Sequence, residues 1–501
     1  GSTGDELWAH QPSEITPLGG GSGSGSGSSQ SNFTSSVDGA ELTVGIPMAN
    51  ITFQYNASAA SGSGNGSTWM VADINSGGLD SIQDTIVVGT RLFFTADDGI
   101  HGDEMWTHET TNDSTWMVAN IRSGASNSGP REYVAVGTRI FFPATDDSND
   151  RELWTHEMSN GSTWRVDDIN SGGSSNPIPL SALGTRLFFS ADDGTNGKEL
   201  WAHETTNGST WMVGDINTGG DANIGNGIAV GTRFYFNAYD GGTSCSGGDL
   251  WAYEATNESI WKVADSNNGG PNCPSDFNSM GTRIYFEGMN ESSHAEIWAH
   301  ETTNETTWRA TNVSVGSSSW GTNQPHHVTV IDSQVIFTVV HSGGYETLWI
   351  HDTTNDTTWN ASLIDISWSD TSQPFAYVGT RIFFQIDTAS NGHELGAFEI
   401  TNESLWMVDD IWSGAGHGSP NYMVVIGDTL YFQAANDTHA NGGISGLYAH
   451  SVSSGSGSGS SGGMTNVTGA TSCVASPSLP TGLNIDSSTC TISGTPSVTT
   501  S

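Results

Sequence analysis

Residues Thr110–Ile121 read TTNDSTWMVANI. The same phrase returns as MSNGSTWRVDDI at Met158–Ile169 and as TTNGSTWMVGDI at Thr205–Ile216. Its tryptophan recurs at Trp69, Trp116, Trp164, Trp211, Trp261, Trp308, Trp359 and Trp406, in steps of 47 to 51 residues. Self-similarity at a fixed period of this size marks a repeat architecture, and it governs how everything else in the chain is read.

Two further signatures keep the same period. Gly-Thr-Arg followed by aromatics begins at Gly89, Gly137, Gly184, Gly231, Gly281 and Gly379, with weaker versions at Asp332 and Gly427. An ELWAHE-like phrase carries Trp106, Trp154, Trp201, Trp251, Trp298 and Trp349 and degenerates around Gly396 and Tyr448. Each unit divides into four short segments rich in β-branched and aromatic residues. In the first unit they are TIVVGT, RLFFTADD, EMWTHET and STWMVANI, punctuated by Gly, Asp and Asn. No segment shows a helical apolar stripe. Four-stranded units of about 40–50 residues predict a β-propeller. The array starts with an orphan fourth strand at Thr68–Ile74 and ends with only three strands at Met423–His450. One strand plus three completes a blade. A closed ring needs that offset, whereas an open solenoid does not, and closure hides sheet edges. The predicted fold is therefore all-β, an eight-bladed propeller over residues 67–450.

The flanks divide by composition. Residues 1–18 resemble the end of a preceding repeat, with Trp8 and His10 matching Trp201 and His203. Residues 19–31 are a Gly/Ser linker, 32–66 a short β segment and linker, and 451–463 a second Gly/Ser linker; 464–501 form a last piece. The chain begins at Gly1 without Met or a signal peptide, which predicts a part of a longer exported chain.

The 501 residues include 54 acids and 13 bases, a formal charge of -41. Such a surface repels phosphates, which excludes nucleic acid and anionic membranes as principal partners. No apolar run approaches the ~20 residues of a membrane span. The four cysteines, Cys245, Cys273, Cys473 and Cys490, read as two disulfides in an oxidising compartment. Cys245 and Cys273 lie in loops of consecutive units that a bond between them would tie together.

The repeated residues have structural readings. The tryptophans predict packing between blades. Histidines at His108, His156, His203, His300 and His351 recur too regularly for a single catalytic centre. Arg91, Arg139, Arg186, Arg233, Arg283 and Arg381 predict pairs with carboxylates such as Glu104 and Glu199. The Asn-X-Ser/Thr triplets at Asn65, Asn112, Asn160, Asn207, Asn257, Asn304, Asn355 and Asn402 have two readings, glycan acceptor and hairpin turn. Glutamate as the middle residue, at Glu258, Glu305 and Glu403, fits a left-handed turn poorly and favours the glycan. Asp97, Asp98, Asp192 and Asp193 gather hard oxygen ligands, which makes calcium the one candidate ion; tight Asp-Gly turns account for them equally. No other cofactor is expected.

A specific site should break the symmetry, because one active site needs one constellation. The divergent sixth unit and its neighbours supply Trp320, His326, His327, Trp368 and Trp412, which are the expected binding surface.

The unit ADDGTNGKELWAHETTNGSTWMVGDIN, Ala191–Asn217, resembles the Glu-Leu-Trp repeat proteins of long secreted surface chains in bacteria and marine archaea. The tail LPTGLNIDSSTCTISGTPS, Leu479–Ser497, resembles the start of an immunoglobulin-like domain of surface proteins. There Thr489-Cys490-Thr491 replaces the usual Thr-Gly-Thr, which sets Cys490 against Cys473. The resemblance implies a modular exoprotein and no catalytic residues. The expected function is thus a non-catalytic adhesion or recognition module, extracellular or on the cell surface, N-glycosylated and not an enzyme. Its partners would be a glycan or surface protein and the neighbouring domains of the same chain. An architectural envelope or filament component is the alternative. A propeller hydrolase or lyase would need a unique carboxylate or histidine cluster in the channel.

Overall fold

The structure is a computed structural model. It describes residues 52–55, 67–76, 78–242, 248–265, 270–290, 294–313, 324–341, 346–362, 375–388, 390–436, 444–452, 473–476, 483–486 and 491–494. Two compact units are present, one spanning 66–453 and the other combining 1–65 with 454–501. In the second unit Thr52–Tyr55 pairs antiparallel with Cys473–Ser476, and Leu483–Asp486 pairs with Thr491–Gly494.

The larger unit holds eight four-stranded antiparallel sheets. Blades 1 to 7 span residues 83–119, 134–165, 178–214, 227–264, 272–309, 324–362 and 376–409. Blade 8 combines 421–451 with the distant strand Thr68–Ala72. That closing strand pairs with Ile444–Ser451 in the register Thr68↔His450, Trp69↔Ala449 and Met70↔Tyr448. The offset seen in the sequence is therefore the ring's fastening.

Eight apolar cores separate the blades, one at each junction. Phe94, Leu92 and Ala96 of blade 1 pack with Leu447, Ala449 and Tyr431 of blade 8. The adjacent Phe93 faces the other way, with Ile140 and Phe142 of blade 2. Successive side chains on a strand point to opposite faces, so the Phe-Phe pairs serve two junctions at once. This is why the second strand of each blade carries bulk at both parities.

The repeated polar residues have local duties. The buried His108, His156, His203, His300, His351 and His450 each place Nδ1 at 2.9–3.0 Å from a threonine hydroxyl on the outer strand. Blades 4 and 7 have Tyr253 and Phe398 at this place. Their register partners are then Ile260 and Leu405 instead of threonine. Histidine and threonine come and go together, as a buried hydrogen-bonded pair must.

The arginine partners differ from the expectation. Arg91 pairs with Glu109 at 3.0 Å, Arg139 with Glu157 at 3.2 Å and Arg233 with Glu254 at 3.1 Å. The strand register sets Arg91 opposite Glu109, while Glu104 lies opposite Ala96, five residues along. Glu104 instead accepts the Ile121 and Arg122 amides and the Ser128 hydroxyl, so it clasps the connection to the next blade. Glu199 clasps Ile216 and Asn217, and Glu394 clasps Ile411 and Gly418. Blade 8 has Gly446 at this position. Asp80 supplies the carboxylate from elsewhere, accepting the Ile74 and Asn75 amides at 2.9 and 2.8 Å.

Tryptophan packing is also uneven. Trp106 and Trp154 pack against blade cores. Trp69, Trp116 and Trp164 on outer strands are 42%, 38% and 37% exposed. The Arg91 guanidinium lies 5.7 Å from the centre of the Trp116 ring, and five other blades repeat such an arginine–tryptophan contact.

Candidate functional site

Each inner strand enters from the connection that follows the preceding blade, and in blades 1, 3, 5, 6 and 8 its register shifts near the start. At one column of this entry Asp84, Glu132, Asp276, His327 and Tyr422 have φ of 45°, 53°, 51°, 54° and 53°. Left-handed backbone costs a non-glycine residue roughly 1–2 kcal/mol, and such strain concentrates at functional sites. The repeat fixes the backbone here and leaves the side chain free to vary.

Blades 5 and 6 vary most. Asp276 of blade 5 accepts the His327 amide of blade 6 at 3.1 Å, which joins the two bulges. The Asn278 side chain donates to the Val328 carbonyl at 2.6 Å. His326 stands 3.5 Å from Glu287 through Nδ1, and its carbonyl accepts the Thr338 hydroxyl at 3.3 Å. The His326 and His327 ring centres are 6.2 Å apart. His327 meets Phe375 edge-on, also at 6.2 Å. Glu346 is only 4% exposed, and its Oε2 has no hydrogen-bond partner among the described residues.

Electrostatics push these groups apart. Burial lowers the two histidines alike. For His326, the Glu287 carboxylate, Glu346 and Asp276 outweigh burial and hold its pKa above the ordinary value. For His327, burial and the neighbouring His326 bring it down to about 4. Burial pushes Glu346 up to about 8, against the Thr338 hydrogen bond and the His326 charge. Asp276 is raised by burial and by Glu287. Near pH 7 the cluster thus presents a neutral imidazole at His327 and a protonated carboxyl at Glu346, beside His326, whose carboxylate neighbours favour its charged form. Opposed shifts of this kind assign acids and bases.

Of the expected binding surface, the structure brings His326 and His327 together. Trp412 is half-buried in the connection from blade 7 to blade 8, and its amide bonds Glu394. Trp320 and Trp368 lie outside the described residues. Glu287 and Glu346 were missed, although a signal existed. Glu287 occupies the column filled by Thr95, Pro143, Ser190, Asn237, Thr338, Gln385 and Gln433 in the other blades. Comparing the units column by column exposes the one carboxylate.

The other expected sites can be placed. Asp97 and Asp98 accept the amides of Gly99, Ile100 and His101, and Asp98 also meets the His101 ring at 2.8 Å. Asp192 and Asp193 do the same for Gly194, Thr195 and Asn196. These oxygens shape turns. A closer carboxylate group, Asp150, Glu152 and Asp168, already has the Arg165 guanidinium 3.2 Å from Asp150 and 3.5 Å from Asp168. In the described triplets, from Asn112 to Asn402, the asparagine Oδ1 accepts the Ser or Thr hydroxyl at 2.5–2.7 Å. The middle residue is left-handed even where it is glutamate, with φ of 58°, 57° and 54° at Glu258, Glu305 and Glu403. Glutamate therefore does fit the turn. Each reaches the preceding blade, Glu258 to Arg186, Glu305 to Arg233 and Glu403 to the Trp359 ring nitrogen. Asn65 lies outside the described residues. Cys273 is disulfide-bonded, while Cys245 and Cys490 lie outside the described residues, as does the Cys473 side chain.

Comparison with known proteins adds the following. The family described as "Putative Ig domain" matches residues 439–501. That match starts inside blade 8, upstream of the expected boundary at 464. No curated protein matches the chain. Among solved structures, an oligogalacturonate lyase in complex with manganese is 10% identical, covers 80% of this chain and 96% of its own, and gives a TM-score of 0.43. A prolyl endopeptidase is 8% identical over 75% of this chain and 55% of its own, with a TM-score of 0.47. A puromycin-hydrolyzing peptidase of Mycobacterium tuberculosis is 9% identical over 74% and 61%, with a TM-score of 0.46. This chain thus spans between half and two thirds of those two peptidases. At such identities the likeness concerns the fold. The expectation of a non-catalytic adhesion or recognition module, not an enzyme, nevertheless does not stand. The three matching chains named here are enzymes, and within this chain the regularity on which that expectation rested breaks between blades 5 and 6.

Proposed function

We propose that the propeller is an acid–base catalyst of the hydrolase or lyase type, acting at the mouth of its channel between blades 5 and 6. The observation that carries this is the adjacent pair His326 and His327, set on a strained bulge and driven in opposite directions. His327 is the base, since it is neutral near pH 7. Glu346, held neutral by burial, is the proton donor, and Glu287 favours the charged form of His326 beside it. The Ser275 hydroxyl donates to Glu287 at 3.4 Å and, among the described residues, engages no imidazole, so the reading invokes no serine nucleophile. Proton transfer by placed groups contributes about 10²–10⁴-fold.

The test is a panel of soluble polysaccharides and peptides, scored for new reducing ends, unsaturated products or free amines. Activity requires His327 unprotonated and Glu346 protonated. The kcat/KM profile should therefore fall below about pH 4 and above about pH 8. His327→Gln should lose about 10²-fold or more in kcat, and Glu346→Gln should move the alkaline limb. Turnover that His327→Gln leaves intact, or a chain inert on both substrate classes, sinks the proposal.

The sequence supports a second, independent proposal: an extracellular chain of Glu-Leu-Trp repeats, glycosylated at some of its Asn-X-Ser/Thr triplets, with a disulfide between Cys245 and Cys273. A glycan is the partner that this setting favours. Exposed asparagines at the described triplets support it. Intact mass of the native secreted protein should drop on deglycosylation; peptides unmodified at every triplet would refute it.

A further inference from the structure

In so acidic a chain, basic side chains are expected to be paired, and eight of the thirteen are in ion pairs with carboxylates. Among the described residues Arg122, Arg131, Arg151, Lys198 and Arg309 are not. Three of these five act on one carboxyl, that of Glu132 in blade 2. Arg131 directly precedes the left-handed Glu132, just before the inner strand of blade 2, and is exposed. Arg151 places its guanidinium on the Ser128 and Gly129 carbonyls at 3.3 and 3.0 Å, in the connection that leads to that strand. Lys198 of blade 3 occupies the column that Arg151 fills in blade 2, as the strand registers show.

The same columns define the opposite pole. Arg131 and Glu132 stand where blade 6 has His326 and His327, and Arg151 stands where blade 6 has Glu346. Blades 2 and 6 are four apart in a ring of eight, so the two groups stand on opposite sides of the ring. Asp84 of blade 1 relates to Glu132 as Asp276 of blade 5 relates to His327: each bonds that residue's amide in the next blade. The backbone device is duplicated, and the chemistry it presents is inverted.

We propose that Arg131, Arg151 and Lys198 form an anion-binding subsite at the channel mouth, which holds a carboxylate or phosphate group of the substrate opposite the histidines. It rests on the reading of the mouth as a site, though not on the chemistry of the histidines. The Glu132 side chain is exposed to solvent yet within the field of all three cations; desolvation of its carboxyl and Asp84 push its pKa up, while Arg151, Lys198 and Arg131 pull it down. Arg151 is anchored by carbonyls. Arg131 and Lys198 are in no ion pair among the described residues, and a guanidinium together with an ammonium suits a planar or tetrahedral oxyanion.

The experiment is calorimetric titration of the whole chain with inorganic phosphate and, separately, with malonate. At low salt at least one should bind, more weakly as sodium chloride is raised. The double variant R131Q/K198Q should bind about tenfold or more weakly, while R131K/K198R should retain binding. Tighter malonate binding points to a carboxylate substrate and tighter phosphate binding to a phosphorylated one. Equal affinity in R131Q/K198Q, or no binding of either anion, overturns the subsite. His326→Gln and His327→Gln should leave anion binding unchanged, so a failure of the acid–base reading would show separately as intact turnover in those variants.

Discussion

Removing residues 1–72 should open the ring, with a loss on the order of 5–10 kcal/mol. Thr68–Ala72 supplies the outer strand of blade 8, and its register partners on Ile444–Ser451 would become an open edge. Val71 and Ala72 would leave the core that joins blade 8 to blade 1. His450 would lose the Thr68 hydroxyl, 2.9 Å from its Nδ1. Burial brings the His450 pKa down to about 4, so its bare ring would face water and titrate at higher pH. The comparison is with a chain lacking only residues 1–58, which keeps the strand. Thermal unfolding of the shorter chain should fall well below that control. Size-exclusion chromatography should show dimers or aggregates formed through the bare edge. Identical midpoints for the two truncations would show that closure contributes nothing.

Glu394→Ala should cost about 3–5 kcal/mol, the range for two buried donors left without an acceptor. The Ile411 and Gly418 amides reach this carboxylate at 2.7 and 2.8 Å, and Glu394 itself is fully buried. The effect carries a pH signature. Burial raises Glu394 to about 7 from an ordinary 4.5. Between these values the native state binds more protons than the unfolded chain. The group's contribution is therefore complete below about pH 4.5 and is lost as pH rises through about 7. Glu199, at about 7, and Asp80, at about 6, act in the same direction. Denaturant midpoints of wild type and Glu394→Gln should converge as pH is raised from 5 toward 8. A Glu394→Ala variant within 1 kcal/mol of wild type at pH 5 would remove the clasp from the account of the fold.

The duties of the repeat were partly legible. Recurrence of His108 and its equivalents announced structure, because a catalytic centre is single. The partner was not readable, since strand register decides that the ring meets Thr115 and not a neighbour nearer in sequence. The same holds for Arg91, assigned by composition to Glu104 and by register to Glu109. Glutamate in the left-handed turns looked wrong locally. It is tolerated because Glu258 and Glu305 reach an arginine of the preceding blade, which only the assembled ring brings close.

The candidate site shows the same division. His326 and His327 stood out because they break the repeat. Glu287 and Glu346 come from strands 39 and 20 residues away from His326 in sequence, and nothing local links them to the histidines. Asp80 replaces the carboxylate missing at Gly446 from the other end of the chain's repeat array, a substitution invisible to any comparison of columns.

By itself the sequence determined the number of units, their four strands, and the one-plus-three division that fastens the last blade. Period and alternation are local properties, written wherever the chain must bury both faces of a sheet. The tertiary structure alone decided which polar groups meet, and with what charge. Burial and a neighbour across a junction set His326 and His327 apart by far more than their shared chemistry would suggest. Glu287 and Asp276 belong to blade 5, brought within reach of His326 only when the two blades pack.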